Sequence, residues 1–313
     1  MYNCTNNKNN KGVMTTNTII KPFIKWAGGK KQLLSDIRQK YPFNIDNKIN
    51  KYCEPFVGGG AVLFDILSNY QIEKILINDI NKELINVYTQ IKEKVSELII
   101  ELSKIQNKFW KMDNEAQKKF YYKKREEFNY LKVNGDEKVN IKKAVLFIFL
   151  NKTCFNGLFR VNSKGLFNVP KGSYKKPLIC DEDNLISISK KMKKVSILCG
   201  DYGKCLSFID KNTFVYIDPP YRPISLTANF TAYSENVFND PEQYRLGKFI
   251  DEINKKGSKV ILSNSDPKNT NKKDNFFDDM YKNYNIDRIT AKRFINCDAT
   301  KRSDITELLI TNY

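Results

Sequence analysis

Four consecutive residues, Asp218-Pro219-Pro220-Tyr221, carry the groups needed to activate a poor nucleophile. An exocyclic amine conjugated to a purine ring has its lone pair delocalised. Two acceptors on its hydrogens, a carboxylate and a fixed backbone carbonyl, draw the nitrogen toward a tetrahedral form. Asp218 supplies the carboxylate, and the prolines hold the carbonyl in place. The carboxylate also stabilises the positive charge that grows on nitrogen as it attacks. The Tyr221 ring offers a stacking face for an extruded base. The chain contains no histidine, so the commonest general base and the commonest metal ligand are both missing. Chemistry here falls to carboxylates, aromatics, backbone groups or a reactive cofactor. A methyl group already bonded to a sulfonium needs no metal.

A second constellation points to a nucleoside. Gly58-Gly59-Gly60 follow a strand pattern and precede a helical one, Ala61 to Leu67. Glycines there allow close backbone approach and leave the first N–H groups of the helix free. A dinucleotide fingerprint requires glycine at position 63, which is Leu63, so a pyrophosphate cofactor is disfavoured. Asp79 ends the next strand, where a carboxylate can accept both hydroxyls of a ribose. S-adenosylmethionine is a nucleoside ligand without a pyrophosphate. Gly28-Gly29-Lys30 resembles the end of a phosphate-binding loop. That motif also requires glycine at 24 and Ser or Thr at 31, where the chain has Ile24 and Lys31.

These residues need a scaffold that gathers strand ends. Short β-rich runs alternate with helical patterns, which predicts an α/β core with a largely parallel sheet. Strands are expected at Lys51 to Val57, Lys74 to Asp79, Val195 to Cys199, Thr213 to Ile217 and Ser258 to Ser263. Asn285 to Thr290 and Thr306 to Asn312 are expected to pair as an edge hairpin. Asp218 then lies at a strand's carboxyl end, where open α/β sheets place their sites. Apolar residues from Leu84 to Leu102 recur at helical spacing. A later helix is expected to start with Asp240 as N-cap, Pro241 and a capping-box Gln243, and to stop at Gly257.

Between about Lys92 and Lys194 the alternation is lost, and Lys, Tyr, Phe and Asn dominate. This stretch reads as an inserted, mainly helical subdomain. Aromatics interleaved with basic residues suit a surface that meets bases and phosphates. An ordinary helical subdomain with a solvated charged face fits the pattern equally well. The net charge of +18 favours a polyanionic partner, although an AT-rich coding bias toward Asn, Lys and Ile would raise it too. Seven scattered cysteines without a C-x-x-C pair suggest a reduced, cytoplasmic protein with no zinc site. The longest apolar run, Ala144 to Leu150, is too short to span a bilayer. The first 18 residues are polar and Asn-rich, and are expected to be a disordered tail.

Taken in order, these segments resemble the DNA adenine N6-methyltransferases of the Dam and DpnM type, which modify GATC. The resemblance runs from about Lys21 to Tyr313. It rests on Lys25-Trp26-Ala27-Gly28-Gly29-Lys30, Phe56-Val57-Gly58-Gly59-Gly60 and Asp218-Pro219-Pro220-Tyr221. The strings Phe155 to Asn162, Phe167 to Pro170 and Lys175-Lys176-Pro177 add to it. It implies a Rossmann-like S-adenosylmethionine methyltransferase core at 19–91 and 195–313, with a target-recognition subdomain at 92–194. It implies cofactor contacts at Trp26, Lys30, Phe56, Gly58, Gly60, Asp79, Asp201 and Asp218. Catalysis falls to Asp218, Pro219, Pro220 and Tyr221. Lys25 and Arg160 match guanine-reading positions, and Phe155 matches a wedge whose hydroxyl is absent here. Leu158 and Pro170 match apolar contacts to bases, with Asn156 and Asn162 in the same DNA-binding string. Ser225 to Tyr233 resembles a mobile loop near the flipped base. The implied partners are double-stranded DNA and, in one setting, a cognate restriction endonuclease acting on the same site. No membrane or metal is implied. Alternatives are the same chemistry on another DNA site or on RNA, or a DNA-binding homologue without catalysis.

Overall fold

A computed structural model describes residues 19–45, 48–135, 140–222, 238–292 and 304–313. The expected tail at 1–18 and the expected loop from Ser225 to Tyr233 lie outside the described residues. The strands are β1 (Lys51–Glu54), β2 (Lys74–Asp79), β3 (Val195–Cys199), β4 (Thr213–Ile217), β5 (Lys259–Ser265), β6 (Asn285–Lys292) and β7 (Asp304–Thr311). They form one sheet in the order β3-β2-β1-β4-β5-β7-β6. β1, β2, β3, β4 and β5 pair in parallel, and β7 runs antiparallel between β5 and β6. The expected late hairpin is therefore present, with β6 at the edge.

The period-2 pleat divides each strand between two cores. Tyr52, Ile75, Ile77, Phe214, Tyr216, Ile261 and Leu309 face one core. Their neighbours Cys53, Leu76, Val215, Val260, Leu262, Leu308 and Ile310 face the other. Burial on both faces is why Thr213 to Ile217 reads as a continuous apolar run rather than an alternating one. On the first face lie α1 (Leu34–Gln39), α2 (Ala61–Asn69), α3 (Lys82–Glu93), α4 (Val95–Trp110), α5 (Asn114–Asn134), α6 (Ile141–Thr153) and α7 (Glu182–Met192). On the second lie α8 (Asp240–Lys255) and α9 (Phe276–Met280). α6 is buried all round from Lys143 to Asn151, as a helix enclosed by other helices must be. Among the described residues no helix is long and apolar enough to cross a membrane.

Three local expectations change. The stripe from Leu84 to Leu102 is two helices, broken at Lys94 with φ −134° and ψ 39°. The bend lets α4 leave α3 and pack against α6 and α7. β1 stops at Glu54 because Pro55 has no N–H to give to a ladder. The N-cap of α8 is Asn239, whose side chain accepts the Glu242 N–H, and Asp240 is already helical. Gln243 therefore stands outside a capping box and is free for another task. The stop at Gly257 stands, with φ +81°.

Candidate active site

The strand order reverses between β1 and β4, and a cleft of about 1340 Å³ opens there, lined by residues from both strands' carboxyl ends. This is where an open α/β sheet leaves room for a ligand. Asn78 at the end of β2 ties the rim together: its amide donates to Pro55 O at 3.0 Å and to Gly200 O at 2.9 Å.

The glycine loop is shaped by its own protein. A Cβ on Gly58 would meet Trp26 Nε1 at 2.9 Å, and one on Gly59 would meet Trp26 Cβ at 2.8 Å. One on Gly60 would meet the Tyr88 hydroxyl at 2.5 Å. Gly58 and Gly60 also hold φ of +47° and +71°, which side chains disfavour. The glycines are required by Trp26 and Tyr88 packing beneath them, so ligand approach alone does not explain them. Buried Glu54 accepts the Tyr52 hydroxyl at 2.7 Å. Burial pushes its carboxyl well above the usual range.

Asp79 accepts Gly58 N–H on one oxygen at 3.0 Å and Asn81 N–H on the other at 2.9 Å. Burial pushes its carboxyl upward against these bonds. Each oxygen keeps acceptor capacity at the cleft, enough for two vicinal hydroxyls. Ile80 beside it is half exposed. Phe56 packs on Tyr202 and Phe238, with centroids 5.2 and 6.0 Å away. Asp201 is more committed: it accepts Arg245 Nη1 at 3.2 Å, Arg245 Nη2 at 2.7 Å and Gly203 N–H at 2.9 Å. The Arg245 guanidinium holds its carboxyl below the usual range.

At the end of β4, Asp218 keeps 22% of its side chain exposed and faces Lys30 Nζ at 3.0 Å. Burial pushes the Asp218 carboxyl up to about 6, with Lys30 opposing and Glu307 adding to the rise. The Lys30 ammonium is 4% exposed and also meets Glu307 Oε2 at 3.3 Å, Gly28 O at 3.3 Å and the Tyr221 hydroxyl oxygen. Burial disfavours its charge, but Asp218, Tyr216 and Glu307 hold it above its ordinary value. Tyr221 in turn donates its hydroxyl to Glu307 Oε2 at 2.6 Å. Gln243 is fully buried and donates to Pro220 O at 3.3 Å, with its own carbonyl held by Asn264.

Residues 26–295 match the D12 class N6 adenine-specific DNA methyltransferase family. The chain belongs to that family. This D12 methyltransferase is 49% identical over 296 residues to Type II methyltransferase M.MjaIII of Methanocaldococcus jannaschii, covering 94% of this chain and 99% of that protein. It is 36% identical over 296 residues to Type II methyltransferase M1.LlaDCHI of Lactococcus lactis subsp. cremoris, covering 94% and 96%. It is 34% identical over 290 residues to the DNA adenine methylase of Haemophilus influenzae, covering 92% of each.

In this D12 methyltransferase the segment expected to meet DNA is tied to Lys25 and Trp26, which line the cleft. Phe155 is 52% exposed, and its N–H donates to Pro170 O at 2.9 Å. Asn156 follows at φ +54°. Arg160 and Pro170 are exposed, and Arg160 Nε donates to Asn168 Oδ1 at 2.9 Å. Leu158 is half-buried against the core. Asn162 differs: its side-chain oxygen accepts the Lys164 and Leu166 N–H groups, each at 3.0 Å, and so closes a turn. Lys25 Nζ meets the Tyr174 hydroxyl at 3.0 Å and lies 4.4 Å from that ring's centroid. Trp26 links surface and cleft, stacking on Phe159 with centroids 5.8 Å apart.

Sequence reading missed Asn151 and Glu307, gave Gln243 only a capping task and gave Glu54 no role. Asn151 lies in α6, accepts the Lys25 N–H at 2.9 Å and donates to Lys25 O at 2.8 Å and Gly157 O at 2.9 Å. It thereby stitches the Lys25 segment to the Phe155 turn. A polar residue in an otherwise apolar helical run was its only signal.

Proposed function

We propose that this D12 methyltransferase moves a methyl group from S-adenosylmethionine to adenine N6 in GATC. The observation that carries the reading is the Asp218 to Tyr221 turn, which shares one cleft with the Gly58 loop and Asp79. The cleft's residues fit the donor. Asp79 has acceptor capacity for a ribose, and Ile80 and Phe56 are apolar beside it. The Tyr202 and Tyr216 hydroxyls are buried, line the cleft and lack a protein partner among the described residues. Buried polar atoms of that kind call for a polar ligand group. About 1340 Å³ exceeds the roughly 300–1,000 Å³ usual for one small ligand, so a base can share the space.

When bound, S-adenosylmethionine supplies an electrophilic methyl group. The chain does the rest. Asp218 and the Pro219 carbonyl accept the N6 hydrogens and turn the amine's lone pair toward the methyl. Asp218 balances the positive charge on nitrogen until the surplus N6 proton leaves. Tyr221 stacks on the flipped base. Arg160 and Lys25 read guanine, with Phe155 as the wedge. The relatives named Type II methyltransferases support a modification role beside a cognate restriction endonuclease. The test incubates plasmid with purified protein and S-adenosylmethionine, then digests it with nucleases of opposite sensitivity to methylated GATC. Protection from the blocked nuclease and cutting by the methyl-dependent one are expected. Methyl incorporation without either change would move the site elsewhere.

A further inference from the structure

Glu307 belongs to neither the Asp218 to Tyr221 turn nor the glycine loop, yet both of its partners lie in the cleft. It sits inside the ladder of β7, paired in register with Ser265 on β5 and Ile289 on β6. Its backbone is thus fixed on both sides. Its side chain is 15% exposed and, among the described residues, meets Lys30 Nζ at 3.3 Å and the Tyr221 hydroxyl at 2.6 Å. A largely buried carboxylate is costly unless it is paired and hydrogen-bonded. Lys30 and Tyr221 supply that pairing and hydrogen bond here. A tyrosine ring swings about two torsions, and a stacking platform needs one plane. A charged acceptor on a rigid strand removes that freedom through a strong bond.

We propose that Glu307 is a positioning residue, which fixes the ring plane of Tyr221 through its hydroxyl and shares Lys30 with Asp218. The inference rests on the proposed transfer to adenine. The groups facing Asp218 are Lys30, Glu307, Glu54, Tyr216 and Tyr221. Of these, Lys30 lowers the Asp218 pKa and Glu307 raises it. Loss of Glu307 should therefore lower that pKa and shift the acid limb of transfer to lower pH, an effect that mere loosening of the fold would not produce.

The experiment measures single-turnover methyl transfer from pH 5 to 8 on a GATC duplex, with cofactor affinity by calorimetry. It uses full-length wild type, Glu307→Ala, Glu307→Gln, Tyr221→Phe and the Glu307→Ala/Tyr221→Phe double variant. Glu307→Ala should slow transfer about 10- to 100-fold, the scale of a lost charged hydrogen bond, with cofactor affinity within about threefold. Glu307→Gln keeps an acceptor for the hydroxyl and should recover most of the rate. Both should move the acid limb down. Tyr221→Phe should slow transfer, and the double variant should be no slower than the worse single one. An unchanged rate in Glu307→Ala, a Gln variant as slow as Ala, multiplicative losses, or an unmoved acid limb would each overturn the proposal. If Glu307→Ala fails to fold, the rate and acid limb of Glu307→Gln and the rate of Tyr221→Phe decide it. A wild type that methylates adenine elsewhere overturns the GATC reading alone, and the variants are then compared on that sequence. A wild type that methylates no adenine overturns the functional reading and this inference together.

Discussion

Lys30 Nζ stands 3.0 Å from Asp218 Oδ1 and holds the carboxylate proposed to act on the amine. The pair joins a turn before α1 to the end of β4. It opposes the burial that disfavours the charged carboxylate, and so should set the acid limit of transfer.

That limit has a definite sign. Asp218 must be ionised to accept the N6 hydrogens, and its pKa is pushed up to about 6 by burial. Transfer should be full above this value and fall as pH drops through it. Lys30 opposes the rise, so Lys30→Met should move the acid limb to higher pH. Single-turnover rates at saturating cofactor test this, and a limb that stays near 6 in Lys30→Met would remove Lys30 from the control of Asp218.

Asp218→Ala should reduce transfer by at least about 10³-fold, the scale for losing a preorganised partner of transition-state charge. DNA affinity should largely persist, because phosphate contacts supply most of it. Rapid-quench rates and a duplex titration separate the two. Transfer at the wild-type rate would place the chemistry elsewhere.

Gly58→Ala should destabilise the fold by about 1–3 kcal/mol, the cost of a side chain at strained backbone. Gly58 sits at φ +47°, and the new methyl would press Trp26 Nε1 at 2.9 Å. The urea midpoint should drop with an unchanged slope. A midpoint equal to wild type would show that Trp26 yields freely.

Arg160→Ala should relax sequence choice while cofactor affinity stays intact. A guanidinium matches the O6 and N7 acceptors of guanine, and losing that contact costs about 1–3 kcal/mol of discrimination. The measurement is kcat/KM on GATC duplexes against duplexes changed only at guanine. An equal ratio in variant and wild type would take Arg160 out of recognition.

Much of this was legible in the residues. β2, β3 and β4 begin and end where expected, and in β4 the unbroken apolar run Thr213 to Ile217 reflects a central parallel strand buried on both faces. The position of Asp218 at a strand's end followed from Ile217 being the last residue of such a run. Lys94 was not legible: it breaks a helix without Pro or Gly, since the bend serves packing on α6 and α7 rather than local preference. The role of the glycines was only half visible, because Trp26 lies some thirty residues away in sequence. Glu307 was invisible, as one acidic residue in a strand with buried residues on both faces carries no pattern that names Tyr221. Gln243 was seen but given a local task, whereas a buried amide holding the Pro220 carbonyl is a long-range fact.

The antiparallel entry of β7 between β5 and β6 has a consequence for synthesis. Ribosomes make this polypeptide from its amino end, and Lys30, Asp218 and Tyr221 all emerge before residues 304–311. Until β7 slides in, β5 presents an open edge of backbone groups and Tyr221 lacks the Glu307 carboxylate. A chain that stalls short of β7 would carry every segment by which the family is recognised and still lack the final anchor of its reaction centre. Synthesis of β7 should therefore precede full activity, and copies that lack residues 304–311 should transfer methyl more slowly than the full chain.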